Sequence, residues 1–361
     1  MKSTSKNNNL YNNKANKENT IIPKVVWLTT NGTCNSNCKW CYAKQYTQYN
    51  KMMDLQQVDE CIDFLIANKI KKVTLIGGEP TINPNIDKII KKLSSNNINV
   101  SMATNGRKFA DYSFAKKILD SGIKSVNISI KGSSEEEYLK NTNAPGFEEM
   151  IEGYNNLVKL NANVSLSYVL CDTDYTVFDK FWDMVQLKKL NNVFFQFYKP
   201  NVDLLSDEGP SIFELAELCK YVYNKVKNSN INYAFEMSLP LCVLDSKMLE
   251  EMINHNKIKT CCHITKGLGL VFDPDFNILP CNHFVNTPLN TKKIEFNKII
   301  DFWNSSTVKE FRNIIKHYPS IKCSLCSKWK ECGGGCMLRW LKDKPDNIVN
   351  DKYCINMKGG D

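Results

Sequence analysis

The sequence predicts an α/β protein: a partial (βα)6 barrel followed by a small cysteine-rich domain. Three observations predict it. Between Lys24 and Lys199 short apolar runs alternate with helical patterns, and repeated strand–helix units give a parallel sheet with right-handed crossovers. Six units are too few for a full eight-stranded barrel. Further along, cysteines gather at Cys323, Cys326, Cys332, Cys336 and Cys354. The expected organisation is a polar tail over 1–22, the barrel over 23–230 and the cysteine-rich domain with a C-terminal tail over 231–361.

The tail is low in complexity, with Lys6-Asn7-Asn8-Asn9 and Asn12-Asn13-Lys14, and is expected to be disordered. Strands are expected at Val25–Thr30, Lys72–Ile76, Ile98–Ala103, Ser125–Ile130, Asn163–Leu170 and Asn192–Tyr198. Helices are expected between them at Leu55–Ala67, Ile86–Leu93, Phe109–Leu119, Phe147–Leu160 and Tyr175–Leu187. A sixth, Ile212–Val226, keeps Leu215, Ala216, Cys219, Val222 and Tyr223 at helical spacing.

Composition narrows the function. Of 361 residues, 42% are hydrophobic and 15 are cysteines. No apolar run approaches the roughly 18 residues of a membrane span, and no signal segment opens the chain. A cytoplasmic protein without membrane contact is expected, and in a reducing cytosol so many cysteines point to metal or redox chemistry rather than disulfides. The net charge of +9 comes from scattered lysines. They read as a solvated surface rather than a nucleic-acid patch.

The cysteines that open the barrel carry the most information. Cys34, Cys38 and Cys41 form a CxxxCxxC loop after the first strand. Three thiolates can hold three irons of a four-iron cluster and leave the fourth iron open to a small molecule, whereas electron-carrying clusters usually take four cysteines. The alternatives are buried thiols or a zinc site, which normally takes a fourth ligand. In parallel α/β sheets chemistry gathers at the carboxyl ends of the strands. The cysteine loop, Gly77-Gly78-Glu79-Pro80, Thr104-Asn105-Gly106 and Ser129-Ile130-Lys131-Gly132 all end strands.

CxxxCxxC with Trp40 before its last cysteine, then GGEP at the end of the next strand, resembles the radical S-adenosylmethionine (SAM) enzymes. The C-terminal Cys323-x2-Cys326-x5-Cys332-x3-Cys336, then Cys354, resembles the SPASM extension of peptide- and protein-modifying members. The resemblance runs from about Pro23 to Cys354 and implies a curved, open six-unit barrel. It implies a [4Fe-4S] cluster on Cys34, Cys38 and Cys41 that binds SAM. One electron then breaks the sulfonium bond and leaves a 5′-deoxyadenosyl radical. The implied SAM contacts are Gly77, Gly78 and Glu79, the strand-three turn Thr104 and Asn105, and Ser129 on strand four. Ser129 also reads as an ordinary polar strand position. Trp40 is implied near cluster and adenine, and also reads as a core aromatic. Many SPASM enzymes place an arginine beyond strand four. Tyr138–Asn143 has none, and Lys140 is the candidate substitute.

Two auxiliary [4Fe-4S] clusters are implied as well. Cys323, Cys326, Cys332 and Cys354 would hold one. Cys262, Cys281 and Cys336 would hold the other, with Cys242 as the candidate fourth ligand and Cys261 competing with Cys262; if neither Cys242 nor Cys261 ligates, an open iron is left that could bind a substrate thiolate. CxxC spacing also occurs in zinc knuckles. Asp273-Pro274-Asp275 and Pro280-Cys281 resemble the SPASM hairpin, with Asn277 in place of the usual turn glycine. In sulfatase maturases of this type an aspartate base follows the cysteine matching Cys281. Here Asn282 and His283 follow it, which disfavours that reaction and leaves His283 and Asp172 as candidate proton carriers.

The implied activity is hydrogen abstraction from a peptide or protein substrate, giving an oxidative crosslink or related modification, with a ferredoxin or flavodoxin as electron donor. The tail leaves no room for a folded leader-binding module before the loop. Radical modification of a small molecule, such as a sugar or cofactor precursor, is the alternative enzyme. A non-catalytic metal-binding interaction module is the contrasting class, and an open cluster site has no use there. Cys61 and Cys219 read as core, and Cys171 ends strand five beside Asp172.

Overall fold

A computed structural model describes residues 20–44, 51–200, 209–260, 262–284, 288–290, 292–316, 323 and 326–343. Cys261, Cys354 and most of both tails lie outside the described residues. The strands are β1 Val25–Thr29, β2 Lys72–Ile76, β3 Asn99–Thr104, β4 Ser125–Ile130, β5 Val164–Leu170, β6 Val193–Phe197, β7 Tyr233–Met237, β8 Ile258–Thr260, β9 Gly269–Phe272 and β10 Ile278–Leu279. They form one sheet in the order β10-β9-β1-β2-β3-β4-β5-β6-β7-β8. Every pairing is parallel except β9 with β10. The helices are α1 Leu55–Ala67, α2 Ile86–Ser95, α3 Tyr112–Asp120, α4 Glu135–Thr142, α5 Phe147–Lys159, α6 Tyr175–Leu187, α7 Ile212–Val226, α8 Ser246–Asn254 and α9 His263–Lys266, followed by short helices to Asp343.

The six expected strands stand within a residue of their expected ends. The third expected helix is split. Residues Arg107–Ala110 form a 3-10 turn, and α3 starts at Tyr112 because the Asp111 carboxylate accepts the amides of Ser113 (2.8 Å) and Phe114 (3.2 Å). The short α4 was not expected. Ser134 caps it by accepting the Glu137 amide, and Glu135, Glu136 and Glu137 complement its positive N-terminus. Strands from the cysteine-rich part do not stand apart from the sheet. β7 and β8 extend it beyond β6, and β9 returns to pair with β1 on the opposite side. The hairpin of β9 and β10 forms around Asp273, whose carboxylate accepts the amides of Asp275 and Asn277.

One face of the sheet is the main core. Val26, Leu28, Val73, Leu75, Val100, Met102, Val126, Ile128, Leu166 and Phe195 pack there with the helices, all almost fully buried. Alternation along the strands sends Trp27, Thr74, Ser101, Asn127, Ser129, Ser165, Ser167, Phe194, Gln196, Glu236 and Lys259 to the other face. Most of these are half-buried or exposed. A polar, partly open face is unusual for a parallel sheet, whose two faces are normally both covered. The chain crosses from β8 to β9 between Thr260 and Gly269, so the edge strand β8 and β9, next to the other edge, lie within about 30 Å of each other. The His263 ring, on that crossing, lies 4.7 Å from the Trp27 ring of β1. The sheet is therefore curled, and the polar face lines its inside.

Candidate functional site

At the carboxyl end of β1 the chain turns into the cysteine loop. Neighbouring strand ends hold its backbone from both sides. The amides of Gly78 and Glu79 donate to the carbonyls of Asn31 and Thr33, both at 2.8 Å. Across the loop, the amides of Asn37 and Lys39 donate to the carbonyls of Thr142 (2.7 Å) and Asn141 (3.0 Å) at the end of α4. Asn105 Nδ2 donates to Asn35 Oδ1 at 2.6 Å, and Arg107 Nη1 to the Asn35 carbonyl at 3.0 Å. The loop is thus fixed before any cluster is considered.

Gly78 is required by that fit. A Cβ there would lie 2.2 Å from the Thr33 carbonyl oxygen and 2.3 Å from that of Gly32. At Gly78 the close neighbour is the Gly32–Thr33 backbone that leads into the cysteine loop. Gly77 has a similar neighbour, with Asn31 oxygen 2.8 Å from its would-be Cβ.

Glu79 is 1% exposed. Its Oε1 accepts from Thr104 Oγ1 (2.6 Å), Thr81 Oγ1 (2.8 Å) and the Thr81 amide (3.1 Å), and its Oε2 from the Asn105 amide (2.7 Å). Burial pushes its carboxyl above the ordinary range, against the pull of those donors. Glu79 therefore ties the end of β2 to the end of β3. Thr104 and Asn105, expected as turn residues near SAM, serve the same knot. Replacing Asn105 by Ala is expected to destabilise the protein by about 1–2 kcal/mol through the lost side-chain hydrogen bonds. A thermal melt checks this, together with weaker iron retention on dilution.

Cys34, Cys38 and Cys41 are half-buried and form no disulfide. Burial pushes the Cys34 thiol up to about 12, and the charges of Glu79, Cys41 and Cys38 act in the same direction. Burial likewise raises Cys41, with Cys38 adding to it. Thiols so placed stay protonated at neutral pH unless a cation replaces the proton. Among the described residues no three cysteine, histidine or carboxylate side chains are arranged around a single ion. A cluster does not need that arrangement, because each thiolate takes its own iron. The donor set and the backbone clamps fit a cluster.

Around the loop, Trp40 is half-buried and its Nε1 has no hydrogen-bond partner among the described residues. Lys131, at the end of β4, places its ammonium 5.6 Å from the Trp40 ring centroid, and its charge reaches Cys41. Sequence reasoning passed over Lys131 in favour of Lys140, which is exposed on α4. The signal available was strand alternation, which puts Lys131 on the inner face with Ser129. Ser129 is half-buried there, in register with Ser167 of β5. Burial pushes the Cys171 thiol up to about 12, and the charges of Asp172 and Lys131 also reach it. Asp172 is exposed and accepts the Asp174 amide at 3.0 Å.

A second set of thiols gathers at the other end of the chain. Cys281 feels Cys336 and Cys262, and burial pushes it up to about 12. Burial also raises Cys336, which feels Lys199 and Cys262. These are three of the residues grouped by the sequence. Cys332 is raised by burial, feels Cys326, and accepts the Leu241 amide at 3.3 Å. Cys326 is joined to Cys323 by a backbone hydrogen bond of 3.1 Å. Cys242 is half-buried in the Leu241–Val243 turn, whose Leu241 amide makes that bond to Cys332. Gly335 packs against Ser238 and Pro240 just before that turn, and the Cys336 amide donates to the Ser238 carbonyl at 2.8 Å.

Tyr42 joins the two regions, a contact the sequence did not suggest. Its ring lies 4.8 Å from that of His283, and its hydroxyl bonds Asn282. The Cys281 thiol also donates to Asn282 Oδ1, at 3.2 Å. Burial pushes His283 down to about 3, so it is neutral near pH 7, and its Nδ1 has no hydrogen-bond partner among the described residues.

Residues 28–183 match the radical SAM superfamily model. Among curated proteins, the chain is 29% identical over 243 residues to a probable GTP 3′,8-cyclase of Pyrococcus horikoshii, covering 64% of this chain and 76% of that one. It is 27% identical to the Pyrococcus abyssi counterpart over 54% of this chain, and spans 60% of that relative's length. Among solved structures, Streptococcus suis SuiB bound to S-adenosylmethionine superposes with a TM-score of 0.69 at 19% identity, covering 92% of this chain and 77% of SuiB. Native anSMEcpe with bound S-adenosylmethionine gives 0.66 at 18% identity, over 93% and 95% of the two chains. With the cysteine loop clamped at its strand ends, the stretch 28–183 is a radical SAM domain by its family match, and the solved structures share the barrel-like α/β fold in which it sits.

Proposed function

We propose that this protein is a radical SAM enzyme that modifies a peptide or protein, with two auxiliary clusters in its cysteine-rich part. The observation that carries the reading is the second gathering of half-buried thiols around Cys262, Cys281 and Cys336 and around Cys326 and Cys332. A SAM site alone has no need of them. The fold likeness to SuiB, which was also solved with the precursor peptide SuiA, extends over this part of the chain. Native anSMEcpe was solved with a peptide as well.

Bound on Cys34, Cys38 and Cys41, a four-iron cluster supplies the electron that cleaves SAM. The chain's own residues orient and enclose. Glu79, Thr104 and Asn105 stiffen the strand ends. Trp40 and Lys131 border the loop, and among the described residues no acceptor takes the Trp40 indole hydrogen. Ser129 and the polar inner face hold the substrate within reach of the radical. His283 is a neutral imidazole whose burial disfavours the protonated form, so it borders the cleft rather than serving as a base.

A second reading, a nucleotide or other small molecule as substrate, is favoured by the sequence likeness to GTP 3′,8-cyclases. One experiment separates the two. Reduced enzyme with SAM is incubated with the peptide encoded beside its gene, and separately with GTP. A peptide lighter by two hydrogens supports an oxidative crosslink. Unchanged mass with one solvent deuterium supports epimerisation. An unmodified peptide and a converted GTP overturn the first reading. Anaerobic reconstitution is also expected to give iron and sulfide for three clusters; zinc in their place would sink the cluster assignment.

A further inference from the structure

The inner face of the sheet changes character along its length. From β3 to β5 it carries Ser101, Asn127, Ser129, Ser165 and Ser167, which largely satisfy one another through bonds such as Ser167 Oγ to Asn127 Oδ1 at 2.6 Å. From β6 to β8 it carries Phe194, Gln196, Glu236 and Lys259. The register sets Glu236 between Gln196 and Lys259. Gln196 Nε2 donates to Glu236 Oε2 at 2.6 Å. Lys259 does not answer the carboxylate, because its ammonium stands 4.2 Å from the Phe194 ring centroid. Among the described residues Glu236 has no ion-pair partner. Its side chain is exposed, and its charge reaches His263 on the crossing to β9, across the curl of the sheet.

A carboxylate with one neutral hydrogen bond is comfortable there while water reaches it. A substrate lying along this wall removes that water. The desolvated anion is then costly unless a partner arrives with the substrate. We propose that Glu236, held in place by Gln196, is a specificity residue that receives a cationic side chain, lysine or arginine, of the peptide substrate. This rests on the peptide reading above. A neutral side chain at that position leaves the carboxylate unpaired, and an acidic one is repelled, so discrimination comes from the mismatch as well as the match.

The test uses the full chain with its clusters, SAM, a chemical reductant and a pool of random peptides of one length. Modified peptides are sequenced by mass spectrometry. Wild-type enzyme is expected to enrich lysine and arginine near the modified residue by roughly tenfold or more, as charge-pair losses at interfaces imply. Glu236→Gln should remove the enrichment, and Glu236→Lys should turn it toward Asp and Glu. Iron content and melting curves confirm that the variants fold. A wild-type pool modified without basic enrichment, or an enrichment that survives in Glu236→Gln, overturns the inference and leaves the peptide reading intact. Enrichment that emerges only in Lys259→Met shows that Lys259 already neutralises the carboxylate, which also overturns it. A pool left unmodified overturns the peptide reading itself, and the inference with it.

Discussion

Replacing Cys34 by alanine is expected to reduce release of 5′-deoxyadenosine from SAM and reductant to the enzyme-free background. Wild-type protein should release it slowly even without substrate, because cleavage needs only the open iron and bound SAM. Three thiols at one loop leave nothing in reserve: a cluster that loses one of three protein ligands has two irons without protein. The burial that pushes Cys34 up to about 12 makes the point stronger. Its thiolate exists at neutral pH only when a metal takes the proton's place, so the residue has no independent charged role to retain. Replacing Cys34, Cys38 and Cys41 together should remove one cluster's iron and leave the rest. Cys61→Ala is the control. That thiol is fully buried in α1, far from metal chemistry in its packing, and its loss should cost stability while sparing the release. Equal release from wild type and Cys34→Ala would show that this loop is not the reactive centre.

The elements readable from sequence are those whose cause is local. β1 to β6 and α1, α5, α6 and α7 carry their own periodicity, and the structure forms them where that periodicity lies. The third helix began late because Asp111 is a better cap than the apolar residues before it. β9 was legible as half of a hairpin, but its pairing with β1 was not. Those strands are separated by most of the chain, and only the register Val25 with Gly269 through Leu28 with Phe272 brings them together. The site divides in the same way. Spacing identified the cysteine loop and GGEP. It could not tell that Gly78 makes room for the backbone of that loop, or that the Glu79 carboxylate is occupied by Thr81, Thr104 and Asn105. Nor could spacing distinguish Lys131 from Lys140, since only the geometry puts an ammonium over Trp40. Tyr42 against His283 joins residues from opposite ends of the sequence, a contact no local pattern encodes.

Gly78→Ala is expected to cost the protein its first cluster while sparing the C-terminal thiols. The added methyl would meet the Thr33 and Gly32 carbonyl oxygens at 2.2 and 2.3 Å. Both are backbone atoms, so no rotamer change relieves the clash. The cysteine loop must move away from β2. That movement breaks the bonds from the Gly78 amide to Asn31 and from the Glu79 amide to Thr33. Overpacking of this kind costs about 1–3 kcal/mol, and each net hydrogen bond lost adds about 1 kcal/mol. The loss falls on the loop more than on the barrel, because the main core lies on the opposite face of the sheet. The variant is therefore expected to melt a few degrees lower and to reconstitute with less iron. Its 5′-deoxyadenosine release should fall at least tenfold, while the thiols around Cys281 and Cys332 still take up iron. A discriminating control is Gly333→Ala, where a Cβ meets nothing within 4 Å and only the left-handed backbone resists the change. It should spare the first cluster. If Gly78→Ala retains the full iron content and the full rate of SAM cleavage, the close backbone contact at Thr33 is not what holds the cysteine loop in its working position.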